Sequence, residues 1–338
     1  MLRQLFCNAH RRAYTTATIP LTAIAELRKK TQVPINKARE ALAHSNGDIA
    51  GALEWLRKDL VTAGASKAAK VASRDTKEGL IGVSVLSQGA GLTTAGGVRA
   101  AMVELNCETD FVGRNDLFAR LAMDIAHTAA FISEARKNHT QELPPFVPIS
   151  LGELEEAPLL SHSDPGASPV GTVSSTIRDT IVKVGENITL GRASAIVEDT
   201  SISPSPSINS VCRLRSHVHG ALNNLTCGRI GALALIKVRS EHLSRLIREE
   251  GFCKELSSLE GSIARQIVGF DTLSIRHEPQ NETEEQALYR QPFITLPGEF
   301  NGLPVEDALR KWSTIHGVGT HVDVVRFLKW RVGEVLAS

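Results

Sequence analysis

Aromatic side chains are scarce in this chain of 338 residues: Trp, Tyr and Phe together make up 4%. A surface that stacks single-stranded bases needs more of them. Excess charge of one sign is missing too, since the formal net charge is +1; the overall balance therefore calls for no direct nucleic-acid contact. No apolar run approaches the ~18–20 residues of a membrane-spanning helix, so no membrane role is expected. The five cysteines, Cys7, Cys107, Cys212, Cys227 and Cys253, form no CxxC pair and fit no zinc template. They read as small apolar residues in a reducing compartment rather than a disulfide framework. A GxxxxGK[ST] phosphate loop is absent, and GRIG at 228–231 is too short to stand in for one. No cofactor and no metal are expected, and no enzyme class is indicated.

What is present begins with an unusual start. MLRQLFCNAHRRAYTTATIP carries Arg3, Arg11 and Arg12 and no acid before Glu26, while Leu2, Leu5 and Phe6 can share one helical face. Arg-rich, hydroxyl-bearing and acid-free is the pattern of a mitochondrial presequence; a secretory signal would need a longer apolar core. A merely unstructured basic terminus is the other reading. Arg12, two residues before Tyr14, places processing just after Tyr14, which would take the net charge from +1 to about −2.

The rest divides by period. Residues 19–62 predict three helices. Ile24 and Leu27 mark the first; Ile35, Ala38 and Leu42 face inward in the second, which Pro34 opens; Ile49, Ala52, Leu53 and Leu56 stripe the third. Gly47 and Asp48 are placed to close one helix and cap the next. Trp55 lies off the stripe, facing a partner or the next domain. Residues 63–77 read as a basic, small-residue linker. From 78 the period is extended: EGLIGVSVLS and VRAAMVELNCE form a hairpin, followed by a helix with Phe118, Leu121, Ala122, Ile125 and Ala129 inward and Asn115 as cap. Six prolines in 139–170 predict a long surface excursion. A helix over STIRDTIVKVGENI and a strand over TLGRASAIVED close this unit at about 205. Residues 206–338 repeat the layout: hairpin CRLRSHVHG/RIGALALIKVR, helices SEHLSRLIREE and LEGSIARQIVGF, strand QPFITL, helix VEDALRKW and strand THVDVVRFLKWRVGE. The fold expected is α+β: a three-helix N-terminal domain followed by two related α+β subdomains with antiparallel sheets.

At the junction of strand and helix stands NCETDFVGRN, residues 106–115. Glu104, Glu108, Asp110 and Asp116 could suggest metal or acid–base chemistry, but Glu104 lies within the strand and no histidine accompanies them. Asp110 also suits a turn or helix cap. Phe111 suits a core residue stapling loop to helix. His217 and His219 share a strand face, with Cys227 across a turn, a set that could ligate zinc but lacks a fourth ligand.

LRKKT, NGDIAGALEWLRK, ASKAAK, EGLIG and above all VELNCETDFVGRNDLF resemble the elongation factor Ts family. IVKVGENITLGRA, His219-Gly220, GRIGALAL, QPF and RFLKWRVGE continue the likeness in order. The resemblance implies a guanine nucleotide exchange factor for elongation factor Tu, with a ubiquitin-associated-like first domain, a 1:1 complex with that partner and, given the presequence, a place in the mitochondrial matrix. It assigns partner contacts to Thr109, Asp110, Phe111 and Val112 as a wedge, to His219 and Gly220, and to Ile35 and Arg39 on the first domain. Departures from the family occur at Gln32-Val33-Pro34 and Lys37-Ala38. The long helical hairpin of many bacterial members is missing between Gly269 and Gln291, and so is their extra C-terminal helix; homodimerisation through the hairpin is not expected. Two rival readings are a ubiquitin-type adaptor and a zinc enzyme built on His217, His219 and Cys227.

Overall fold

A computed structural model describes residues 19–31, 33–91, 96–134, 144–198, 209–222, 225–277, 283–319 and 321–334. The basic start, 1–18, lies outside them. The chain divides into two units, residues 1–67 and 68–338.

The first unit is helical: α1 (Leu21–Thr31), α2 (Ile35–His44) and the larger part of α3 (Ile49–Val71). Ile24, Leu27, Ala38, Ala41, Leu42, Ala52 and Leu56 make its small core. Gly47 takes φ +86°, and the Asp48 carboxylate accepts from the amides of Ala50 (3.3 Å) and Gly51 (2.7 Å), closing α2 and starting α3. Ile35, expected inward, is 49% exposed, because the first turn of α2 leaves its leading side chain beyond the core. Trp55 is partly buried against this core. His44 stacks on it at 4.8 Å, and the Lys37 ammonium sits 4.8 Å from its ring centre. The stretch 63–77, expected as a linker, is helical as far as Val71: its alanines carry the helix on, and only 72–77 are non-helical.

The second unit is layered. Strands β1 (Glu78–Gln88) and β2 (Val98–Cys107) form an antiparallel hairpin, and the short α4 (Asp110–Gly113) leads into α5 (Asp116–Ile132). Next come β3 (Val147–Pro148), α6 (Leu151–Glu156), α7 (Val173–Val184) and β4 (Ile188–Glu198). The second half adds β5 (Ser210–His219), β6 (Cys227–Gly228), β7 (Ile230–Arg239), α8 (Leu243–Leu246), α9 (Glu250–Gly269), α10 (Val305–Ile315) and β8 (His321–Arg331). One sheet has the order β3-β4-β2-β1-β6 and the other β5-β7-β8.

Alternation along each strand dictates the stacking. In the first sheet Leu80, Ala101, Val103 and Leu105 face α5 and α7, while Ile81, Val83, Ala100 and Met102 face the other way. There they meet Leu214, Leu233, Leu235 and Trp330 of the second sheet. The opposite face of that sheet, with Ala234, Ile236 and Val324, is covered by α9 and α10 through Leu259, Ile263 and Trp312. Helices, sheet, sheet and helices therefore form four layers. The halves 78–205 and 206–338 are joined by this shared core, and β6 pairs with β1. The physical reason is that both faces of each sheet are apolar and each needs a cover. Gly231 marks how closely the sheets approach, since a Cβ there would lie 2.7 Å from Ile81 Cγ2.

Two further expectations are corrected. The proline-rich excursion is built into the unit from residue 144 on: β3 pairs with β4, Leu154 is fully buried, and the amides of Leu160 and His162 donate to Thr128 (2.9 Å) and Asp124 (2.7 Å) on α5. Pro148 fits because β3 is an edge strand; residues 139–143 lie outside the described chain. QPFITL is not a strand. Pro292 makes a single bridge to Pro304 and lacks an amide to continue a ladder, while 3-10 turns flank the segment.

A braced loop tip as the candidate functional site

Strand β2 ends at Cys107, and the backbone turns into α4 within two residues. Thr109 is the N-cap: its hydroxyl accepts from the Val112 amide at 3.4 Å, and the turn closes through Gly113 N to Thr109 O (3.1 Å). The helix cap is thus Thr109, and Asp110 is the first helical residue. Its carboxylate, 46% exposed, pairs with Arg114 one turn on at 3.1 Å. Val112 is buried and roots the tip in the core under α5. Phe111 is 83% exposed, so it is neither core nor staple. Burying such a ring is worth ~1.5–3 kcal/mol, which here is left unrealised in the free protein.

The tip is held from beneath. The Glu186 carboxylate accepts from the Thr109 amide (3.0 Å) and the Thr109 hydroxyl (2.7 Å). Next to it, Glu108 accepts from the Asn187 amide (2.6 Å) and pairs with Arg74 (3.4 Å). The Asn187 side chain donates to the Arg74 carbonyl (2.9 Å). The Cys107 thiol donates to Thr109 O (3.2 Å); burial, reinforced by Glu186 and Glu78, pushes its pKa up to about 12, so it stays protonated and unreactive. Gly79, opposite Asn106 on β1, cannot carry a side chain, since a Cβ would lie 2.2 Å from Leu105 O.

His219 and Gly220 occupy the exposed turn that ends β5. Gly220 has φ +75°, Arg229 N donates to His219 O (3.0 Å), and Gly228 leaves no room for a Cβ beneath that carbonyl. Arg229 pairs with Glu78, which lies opposite Cys107 in the hairpin. The turn at 219–220 and the tip at 109–112 therefore stand at the same end of the layered unit. Ile35 and Arg39 are exposed on α2 of the other unit.

Other candidates are not assembled. Among the described residues no group of three His, Cys, Asp or Glu could hold a metal ion. Cys227 is fully buried in the core under α5, whereas His219 is exposed. Glu104 is instead structural, paired with Arg192 (2.7 Å) and accepting from Gly333 N (2.7 Å). Sequence reasoning missed Glu186, Asn187 and Arg74. Only the glycine before Glu186 and Asn187, Gly185 at φ +81°, carries a local signal, a helix end that turns the next residues sharply.

Comparison with known proteins decides the family. Residues 108–249, the tip included, match the model described as Elongation factor TS. A protein named Elongation factor Ts, mitochondrial, from Coprinopsis cinerea is 51% identical over 97% of this chain and 96% of its own length. The chain belongs to the elongation factor Ts family. The protein of that name from Laccaria bicolor is 49% identical over 96% of the chain, and that from Cryptococcus neoformans 32% over 94%. For an elongation factor Ts, the adaptor and zinc-enzyme readings fall away. The exposed Phe111 on a fixed support is then the feature whose chemistry has to be explained.

Proposed function

We propose that the chain is the guanine nucleotide exchange factor of mitochondrial elongation factor Tu, working in the matrix as one half of a 1:1 complex. Family membership supports the activity and the partner; the mitochondrial names of the relatives support the compartment. Thr109, Asp110 and Phe111 form the wedge, with Val112 as its buried root. His219 and Gly220 extend the contact from the same end, and Ile35 and Arg39 meet the partner from a first unit of ubiquitin-associated type. The observation that carries the wedge is Phe111, 83% exposed on a turn whose backbone is fixed.

Exchange makes and breaks no covalent bond. A GTP-binding protein grips its nucleotide through phosphate-binding amides and a hard cation. The exchange factor has only to bind the empty arrangement better than the loaded one. Coupling is reciprocal, so nucleotide expels the factor as strongly as the factor expels nucleotide. Phe111 supplies an apolar anchor. Asp110, at the tip and paired with exposed Arg114, supplies a carboxylate that can turn to donors on the partner. The test is release of labelled GDP from elongation factor Tu with and without the purified chain. Acceleration is expected; the rate of spontaneous release at every concentration would end the proposal.

A further inference from the structure

We infer that Glu186 is a positioning residue for nucleotide exchange: through its two hydrogen bonds to Thr109 it fixes the direction in which Phe111 is presented. The inference rests on the wedge reading and adds a residue 75 positions away from Phe111 in the chain. The geometry is specific. One carboxylate oxygen takes the Thr109 amide at 3.0 Å and the other takes the hydroxyl at 2.7 Å. Both donors belong to the residue that caps α4, so the carboxylate fixes the backbone and the side chain of the N-cap at once. Charge-assisted bonds of this length are the strong ones.

The local chain explains why Glu186 can reach. Helix α7 ends on Gly185 in the left-handed region, with Gly185 N bonded to Ile181 O at 2.8 Å. The chain then enters β4, whose Ile188 lies opposite Cys107 of β2. Glu186 and Asn187 are thereby set directly beneath the strand end from which the tip grows. Asn187, 4% exposed, bonds Glu108 through its amide and Arg74 O through its side chain, so the platform is itself anchored. The tip stands on a bidentate clamp two residues before Phe111.

The decisive measurement is a double-variant cycle in GDP release from elongation factor Tu, with the full chain carrying Glu186→Ala, Phe111→Ala or both, and Glu186→Gln as the variant of unchanged size. If Glu186 acts by aiming Phe111, Glu186→Ala lowers maximal release roughly tenfold, and the double variant is no slower than Phe111→Ala alone. Glu186→Gln falls between, because its amide oxygen keeps one acceptor while the charge is lost and its NH2 can meet Thr109 only by donating to the hydroxyl oxygen. Exchange of the Thr109 amide hydrogen speeds up in both Glu186 variants while amides of α9 keep their protection. Wild-type release by Glu186→Ala, or losses that multiply in the double variant, would overturn the positioning role and leave the wedge standing. Wild-type release by Phe111→Ala would overturn the wedge, and this inference with it.

Discussion

Truncating Phe111 to alanine separates stability from function in a way few positions allow. The ring is 83% exposed, so in the free protein its removal takes away little packing. A change within ~0.5 kcal/mol is expected for such a site, which for a unit of this size moves the melting temperature by about 2 °C or less. In the complex the same ring can bury nearly all of its surface, worth ~1.5–3 kcal/mol. At about 1.4 kcal/mol per factor of ten, the variant should lose roughly 10- to 100-fold in the acceleration of GDP release. Titrating the factor against elongation factor Tu loaded with labelled GDP locates the loss. If the ring is buried only once the nucleotide site is open, the maximal rate falls; if it is buried equally in both states, the half-saturating concentration rises and the maximal rate holds. A wild-type rate at every concentration refutes the anchor. A melting temperature lowered by more than roughly 5 °C refutes the premise that the ring stands free.

Three other perturbations test the frame. Glu260→Gln should cost ~3–5 kcal/mol in urea unfolding, because it leaves the Arg213 guanidinium buried without its countercharge between β5 and α9; near-neutrality would show that the pair is hydrated. Gly79→Ala should destabilise by about 1–3 kcal/mol or more, since the Cβ would meet Leu105 O at 2.2 Å on a φ of +154°, whereas Gly47→Ala, with open space around it, should cost only about 1–2 kcal/mol for its left-handed backbone. His127 is buried, its Nδ1 has no hydrogen-bond partner among the described residues, and burial followed by the nearby His162 holds its pKa below the ordinary 6.5 while Asp124 pulls the other way. The unfolded chain therefore takes up the proton first, so this residue subtracts stability as pH falls below about 6.5. His127→Gln should flatten the urea midpoint between pH 7.5 and 5 relative to wild type, and an unchanged slope would show the ring titrating normally.

Much of the fold was written in periodicity, and the misreadings are instructive. Apolar residues at helical spacing in α5 and alternating residues in β1, β2 and β7 are strong local signals, and each sits where its pattern demands. The joining of the two halves was not legible, because a strand apolar on both faces says that it is covered twice without saying by what. Proline misled in one direction at β3, where an edge position tolerates it, and in the other at QPFITL, where a strand-like composition gave turns. At the site, the strand-to-helix junction was legible in the residues, the contact role of its tip came only from the family resemblance, and its support was not legible at all. Thr109 and Glu186 are 77 residues apart, and nothing local tells a glutamate after a helix-ending glycine that it will face a threonine hydroxyl.

That support matters as much as the ring. Shifting a partner from 1:99 to 99:1 takes ~5.5 kcal/mol of differential binding, more than one phenylalanine supplies. The remainder must come from the wider surface, and it is quickly lost if the tip is loose. Ordering a backbone costs ~1–2 kcal/mol per residue, so four mobile residues at 109–112 would cost about as much as the whole shift requires. Thr109 held by Glu186 and Val112 sunk in the core mean that much of this cost is met when the protein folds. The apolar transfer of Phe111 is then available in full at the moment of contact. On the proposed wedge reading, the charged residues beneath the tip and the aromatic residue on it act as one device, the first making the second usable.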